Sequence, residues 1–182
     1  MANKKDVLEA RLASFPLVEY GFLDAADIEF SEKIRTVCET ECLRYGTTWA
    51  CPPAVGTVAE CEKRCRAYSD FFVFTTMAEV DDITDPVSVR ASQKDHEDTA
   101  REVRKVFREL YGGCLMLSTE SCAICGDCTY PQGKPCRYPE RMLPCIESHG
   151  IVVTNLAEKA GISYLSGYNT VVWFTAIFFN AD

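Results

Sequence analysis

The sequence predicts an α+β or α/β fold in which a mixed sheet is flanked by helices and carries a cysteine-rich loop. Stretches with helical spacing of apolar residues alternate with short β-branched and aromatic runs, which is typical of these classes. The chain has 182 residues, is 47% hydrophobic and is 25% charged, as ordinary globular proteins are. We therefore expect one domain over residues 1–182.

Capping residues predict the helices of the first half. Ser31 suits the start of a helix, and Thr57 with Glu60 matches a capping box. A compact aromatic run over residues 71–76 indicates a buried strand. The predicted elements are a helix over residues 6–12, a strand within 18–26, helices over 31–42 and 57–68, and the strand over 71–76.

Helical periodicity is clearest over residues 90–111, where Ala100, Val103 and Phe107 share one face. Gly112 and Gly113 end this helix. The later predicted elements are a strand over 114–118, a loop over 121–138, a proline-started turn of helix over 139–149, a strand over 151–154, a helix opened by Asn155 and closed by Gly161, and a strand over 171–179.

Charge and hydropathy exclude several function classes. The 19 basic and 27 acidic residues give a net charge of −8, which disfavours binding to nucleic acid or to an anionic membrane. The N-terminus lacks the apolar core of a signal peptide, and residues 171–179 are shorter than the roughly 20 residues of a membrane helix. We expect a cytoplasmic protein, in which thiols stay reduced.

The strongest chemical signal is Cys122-x2-Cys125-x2-Cys128, followed by Cys136. Three cysteines at this spacing let one loop wrap an iron–sulfur cluster, and bacterial ferredoxins open with the same run. In bacterial ferredoxins with two clusters, the spacing from the third to the fourth cysteine is shorter than here, and the fourth cysteine ligates the second cluster. A structural zinc ion held by four thiolates is the alternative. The run of three cysteines favours an iron–sulfur cluster in a ferredoxin-like loop at about residues 121–138.

A second set of cysteines lies upstream, at about residues 38–53. Cys38 and Cys42 are one helical turn apart, so they share a helix face. Cys51 is followed by two prolines, which suits a cysteine turned toward a cluster. This spacing favours a metal site over two small buried side chains.

The seven cysteines of these motifs cannot fill two sites of four thiolates each. Either another cysteine supplies the eighth ligand, or one iron stays open to water, another side chain or a substrate. The ferredoxin precedent also allows Cys51 and Cys136 to exchange sites. Helical patterning favours core roles for Cys61 and Cys65. The cysteines outside the motifs are Cys61, Cys65, Cys114 and Cys145.

The cysteines belong to a longer pattern that carries a family resemblance. The pattern comprises Cys38, Cys42, Tyr45-Gly46, Trp49-x-Cys51-Pro52-Pro53, Gly113, Cys122-x2-Cys125-x2-Cys128, Cys136-Arg137-x-Pro139, Pro144 and Glu147-x-x-Gly150-Ile151-x-Val153. With it, the chain resembles a family of predicted metal-binding proteins, a domain of unknown function common in anaerobic bacteria and archaea. The resemblance implies an iron–sulfur protein with the seven motif cysteines as ligands. The other four cysteines lie outside the pattern, which weakens the case for a second full four-cysteine site.

These observations predict one or two 4Fe–4S clusters that relay single electrons to a redox partner protein, a partner oxidoreductase. The acidic surface suits docking on a basic partner. A zinc-stabilised interaction module is one alternative, and an enzyme that uses an open iron is another. The predicted metal ligands are Cys38, Cys42, Cys51, Cys122, Cys125, Cys128 and Cys136.

Overall fold

A computed structural model describes residues 3–181, in which helices cover both faces of a four-stranded sheet. The helices are α1 (Lys4–Leu12), α2 (Glu32–Thr40), α3 (Val58–Cys65), α4 (Pro86–Tyr111) and α5 (Val153–Ala160). The strands are β1 (Tyr20–Asp24), β2 (Asp70–Glu79), β3 (Cys114–Ser118) and β4 (Thr170–Phe179), and short 3-10 turns lie at Ala25–Asp27, Tyr130–Gln132 and Glu147–His149. Among these residues, no helix is both long and apolar enough to cross a membrane.

The α+β class is confirmed, whereas the expectation of a mixed sheet is wrong. The strand order is β1-β2-β4-β3, and all three pairings are antiparallel. Helix α4 does connect two strands that run in the same direction, β2 and β3. Strand β4 lies between them in the opposite direction, so β2 and β3 are never neighbours. The one parallel contact among the described residues is an isolated bridge between Ser118 and Cys145.

The sheet buries apolar side chains on both faces. Alternate residues of β2 point to opposite sides, so Phe71 packs with Leu156 of α5, while Phe72 and Phe74 pack with Phe107 of α4. Because both faces are covered there, residues 71–74 of β2 form a continuous apolar run, as a strand segment buried on both sides requires. The sequence-based prediction of this strand is confirmed.

The predicted helix starts are confirmed at both capping sites. The Ser31 side chain accepts a hydrogen bond from the Lys33 N–H, and Thr57 and Glu60 form the reciprocal bonds of a capping box. Helix α3 ends at Cys65, three residues earlier than predicted.

Two predictions between residues 139 and 154 are wrong. Residues 139–146 form no helix, because their backbone pairs with other segments: the Pro144 carbonyl accepts from Ser118, and the Cys145 N–H donates to Ala50. The predicted strand over 151–154 is reduced to one bridge between Ile151 and Phe30. Burial explains the second error, since α5 begins at Val153 to place its apolar residues against the sheet.

The buried side chain of His96 makes the stability of the fold depend on pH. It lies between Thr76 and Thr175, with ring nitrogens 2.7 Å and 2.8 Å from the two hydroxyl oxygens. Burial lowers the pKa of His96 from 6.5 to about 4, so the ring is neutral in the folded protein.

We expect His96 to contribute stability that is present above pH 6.5 and is lost as the pH falls to about 4, because the unfolded chain takes up the proton first. The loss is about 3 kcal/mol, from about 1.4 kcal/mol per pKa unit. Urea unfolding at pH 7 and pH 4 measures it. The His96→Gln variant, in which the other groups still titrate, should lose about 3 kcal/mol less; an equal loss in both proteins would contradict the assignment.

Candidate metal centre

The four downstream cysteines line a single cavity. Cys122, Cys125, Cys128 and Cys136 are all half-buried and border a space of about 380 Å³ that opens to the surface. The cavity lies beyond the end of β3, and residues 47–50 of the upstream loop complete its wall. Cys136 therefore lies with the other three despite its longer spacing, which favours grouping it with them over an exchange with Cys51.

Backbone amides point at cysteine sulfurs in both cysteine-rich loops. The Tyr138 N–H donates to Cys136 Sγ at 3.4 Å, and the Arg44 N–H donates to Cys42 Sγ at the same distance. Each donor lies two residues after its cysteine. N–H groups placed in this way can donate to the sulfur of a metal-bound cysteine.

Helix α4 anchors the first turn of the downstream loop through polar side chains. Gln93 donates to the Ser121 carbonyl, and the Arg90 guanidinium donates to the carbonyls of Cys122 and Cys125 at 3.2 Å and 3.5 Å. Arg90 also borders the cavity, where its charge offsets the negative charge of thiolates. The loop thus begins from a fixed position although it lacks regular structure.

A buried ion pair on the same helix extends this anchor. Glu97 pairs with Arg101, accepts the Ala123 N–H at 3.0 Å and is 1% exposed. Arg101 donates from Nε to the Arg141 carbonyl at 3.0 Å. Helical spacing indicates that Glu97 and Arg101 face each other, but their burial is not evident from the sequence. The available sequence signal was that Glu97 and Arg101 lie next to the apolar face of the predicted helix.

An aromatic contact joins the two cysteine-rich loops. The indole N–H of Trp49 donates to the Lys134 carbonyl at 3.1 Å. The Trp49 ring meets Tyr130 edge-on at a centroid distance of 5.0 Å. Trp49 therefore closes one side of the cavity and holds the upstream loop against the downstream loop.

The three upstream cysteines lie in a separate group. Cys38 is half-buried near the end of α2, Cys42 is exposed just beyond it, and Cys51 is buried. None of them lines the cavity described above. The nearby Cys145 thiol lowers the pKa of Cys51 to about 7, and the same proximity together with burial raises the pKa of Cys145 well above its ordinary value.

Burial keeps other thiols protonated in the absence of a metal. It raises the pKa of Cys38 to about 11, with the neighbouring Cys42 adding to the rise. It also raises the pKa of Cys122 to about 11, helped by the Glu97 carboxylate and opposed by the Ile124 N–H. Metal binding at these sites must therefore release protons.

Cys61 and Cys65 are core residues, as their helical positions predict. Both are fully buried, and burial raises the pKa of each, for Cys65 to about 12.

Cys145 and His149 do not form a nucleophile–base pair. The Cys145 thiol donates to Glu147 at 2.9 Å, and His149 Nδ1 lies 3.0 Å from the Cys145 carbonyl oxygen instead.

The Cys61→Ala substitution should leave the metal content of the protein unchanged, because Cys61 lies outside both cysteine groups. Its thiol donates to the Val55 carbonyl at 3.5 Å, so we expect only a stability loss of about 1 kcal/mol. Iron and zinc analysis of the purified variant measures the first quantity, and urea unfolding measures the second. A drop in metal content would reveal Cys61 as a ligand.

The donor set fits a thiophilic metal. All eleven cysteines are free, and thiolates are the ligands of both iron–sulfur clusters and structural zinc. Within residues 3–181, no group of three or more Cys, His, Asp or Glu side chains is arranged to hold a metal ion as it stands. The cysteines around the cavity would have to turn toward a common centre, and their half-buried positions leave room for that movement.

Comparison with known proteins agrees with this chemistry. The profile of the family described as "Predicted metal-binding protein (DUF2284)" matches residues 21–179 and confirms the resemblance seen in the motifs. Neither the curated proteins nor the solved structures contain a match to the chain. The matched segment spans all of the cysteines and every strand but the first residue of β1, and the chain belongs to this family of predicted metal-binding proteins.

Proposed function

We propose that Cys122, Cys125, Cys128 and Cys136 bind a 4Fe–4S cluster and that the protein relays single electrons to a partner oxidoreductase in the cytoplasm. One observation carries this proposal: the four cysteines of a ferredoxin-like motif, distant from one another by up to fourteen positions in sequence, border one cavity.

The cavity is large enough to admit a cluster. Zinc draws four thiolates to about 2.3 Å and leaves no interior space. A cubane cluster carries four metal atoms and four sulfides between its thiolates. The space of about 380 Å³ bordered by the four cysteines suits the larger group.

The surrounding residues would hold the cluster and adjust its reduction potential. The four thiolates ligate iron, while the Tyr138 N–H to Cys136 and the Arg90 charge stabilise negative charge at the centre. When bound, a 4Fe–4S cluster accepts and releases one electron at a time. Trp49 limits the access of water from the side of the upstream loop.

Partial exposure of the ligands supports exchange of electrons with another protein. All four cysteines are half-buried and the cavity opens to solvent, so a docked partner can approach the centre closely. One electron enters from a reduced donor protein and one leaves to an oxidised acceptor protein. No bond to the polypeptide is made or broken in this exchange.

Reductive titration of the anaerobically purified protein tests the proposal. We expect a brown protein whose visible absorption bleaches with dithionite and returns when the excess dithionite is removed and a stoichiometric one-electron oxidant of higher potential, such as ferricenium, is added. The Cys128→Ser variant should lose this response at the downstream centre. A colourless protein that contains zinc and does not respond to dithionite would contradict electron transfer and favour a zinc-stabilised module.

A further inference from the structure

Cys145 lies beside the upstream cysteines although it is far from them in sequence. Its backbone N–H donates to the Ala50 carbonyl at 3.0 Å, which places it next to Cys51. On the other side, an isolated bridge to Ser118 fixes Cys145 at the end of β3. The position of Cys145 is therefore set by two separate segments, and its buried thiol, which donates to Glu147 at 2.9 Å, lies near the buried thiol of Cys51.

Helix α2 brings Cys38, and Cys42 just beyond its end, to the same side of the molecule as Cys145. Arg35, one turn before Cys38, donates to the Ser148 carbonyl at 2.5 Å and to the Gly56 carbonyl at 2.6 Å. These bonds lock α2 to the turn that follows Cys145. The thiol of Cys38 accordingly has Cys42 and Cys51 among its neighbours.

The four cysteines differ in solvent exposure, from buried to exposed. Cys51 and Cys145 are buried, Cys38 is half-buried and Cys42 is exposed. The Cys42 sulfur accepts the Arg44 N–H, as Cys136 accepts the Tyr138 N–H in the downstream loop. A metal can thus enter from the side of Cys42 and meet thiols on the inner side.

We propose that Cys38, Cys42, Cys51 and Cys145 form a second metal centre, in which Cys145 supplies the fourth thiolate. The four cysteines would bind either a second iron–sulfur cluster or a zinc ion, since both take four thiolate ligands. The seven motif cysteines then become eight in two local sets. This centre does not depend on which metal occupies the downstream cavity.

Metal counting on single and double variants tests the second centre. We would purify Cys42→Ser, Cys145→Ala and the Cys42→Ser/Cys145→Ala double variant anaerobically and measure iron, sulfide and zinc per chain. Each single variant should lose the whole metal content of the second centre, and the double variant should lose no more. Adding Cys125→Ser to Cys145→Ala should remove the remaining metal. Loss of iron with sulfide identifies a cluster, and loss of zinc identifies a zinc ion.

Two controls separate a lost ligand from a damaged fold. Cys42 is exposed, so Cys42→Ser leaves the packing intact, and Cys114→Ser replaces a half-buried cysteine outside both sets and should keep all metal. In Cys145→Ala, retention of the downstream metal reports a folded chain.

Full metal content in Cys145→Ala would overturn the role of Cys145, and full content in Cys42→Ser would overturn the centre. A disulfide between Cys51 and Cys145 with unchanged metal content would also overturn it. Loss of both centres together in Cys145→Ala would report a damaged fold, and the exposed Cys42→Ser variant then decides the test. The proposed function fails separately, if the metal removed by Cys125→Ser is not iron with sulfide.

Discussion

Replacing Cys125 by serine should remove one complete metal centre. Cys125 is the middle cysteine of the downstream motif, and serine keeps its size while removing the thiolate donor. We expect a loss of about four iron and four sulfide per chain, as one cubane cluster contains. No residue of the loop over 121–138 belongs to either apolar core cluster, so the bound metal would be a main source of its order. Without the metal, the loop should become more susceptible to proteolysis.

Iron and sulfide analysis with limited proteolysis checks this expectation. Cys114→Ser is the matched control, because Cys114 is equally half-buried but lies in β3, away from the cavity. The control should keep its metal and its resistance to protease. Unchanged metal content in Cys125→Ser would exclude Cys125 as a ligand.

Replacing Glu97 by alanine should produce the largest loss of stability among the α4 side chains. Glu97 and Arg101 are almost fully buried, and removing the carboxylate leaves the buried Arg101 guanidinium with only the partly exposed Asp98 as an acidic partner. Burial raises the pKa of Glu97, while Arg101 and the Ala123 N–H oppose that rise. We expect a loss of about 3–5 kcal/mol, and a melting temperature lower by roughly 6–20 °C for a chain of this size.

Chemical and thermal unfolding measure the effect of Glu97→Ala. The control is Glu102→Ala on the same helix, where Glu102 pairs with Lys105 at 2.7 Å in an exposed position. That pair should contribute less than about 1 kcal/mol. Because Glu97 also holds Ala123, its variant should bind metal more weakly at the downstream centre. Equal stability of the two variants would contradict an anchoring role for the buried pair.

Local signals were sufficient to predict most of the secondary structure. Ser31 and the Thr57–Glu60 pair mark helix starts because the first N–H groups of a helix need acceptors nearby. The strand around Phe72 was evident because a strand buried on both faces has to be apolar throughout. The strand expected at Ile151 was wrong because β-branched residues also suit a buried helix face, and α5 uses Val153 in that way.

Features that depend on contacts between distant segments could not be predicted from local sequence patterns. Local spacing predicted the grouping of Cys122, Cys125 and Cys128, which adjacent turns of one loop bring together. It could not predict that Cys145 lies beside Cys51, because that contact depends on how residue 145 pairs with Ala50 and with the end of β3. The direction of β4 was equally hidden, since only the complete sheet determines which strands are neighbours.

Metal and sulfide analysis of one anaerobic sample is the most direct test of the central claim that the cysteines bind iron–sulfur clusters. We expect iron and acid-labile sulfide in equal amounts, about four of each for the downstream cluster and about eight if the second centre is also a cluster. Zinc without sulfide would contradict the iron–sulfur assignment and leave a four-thiolate zinc protein in its place.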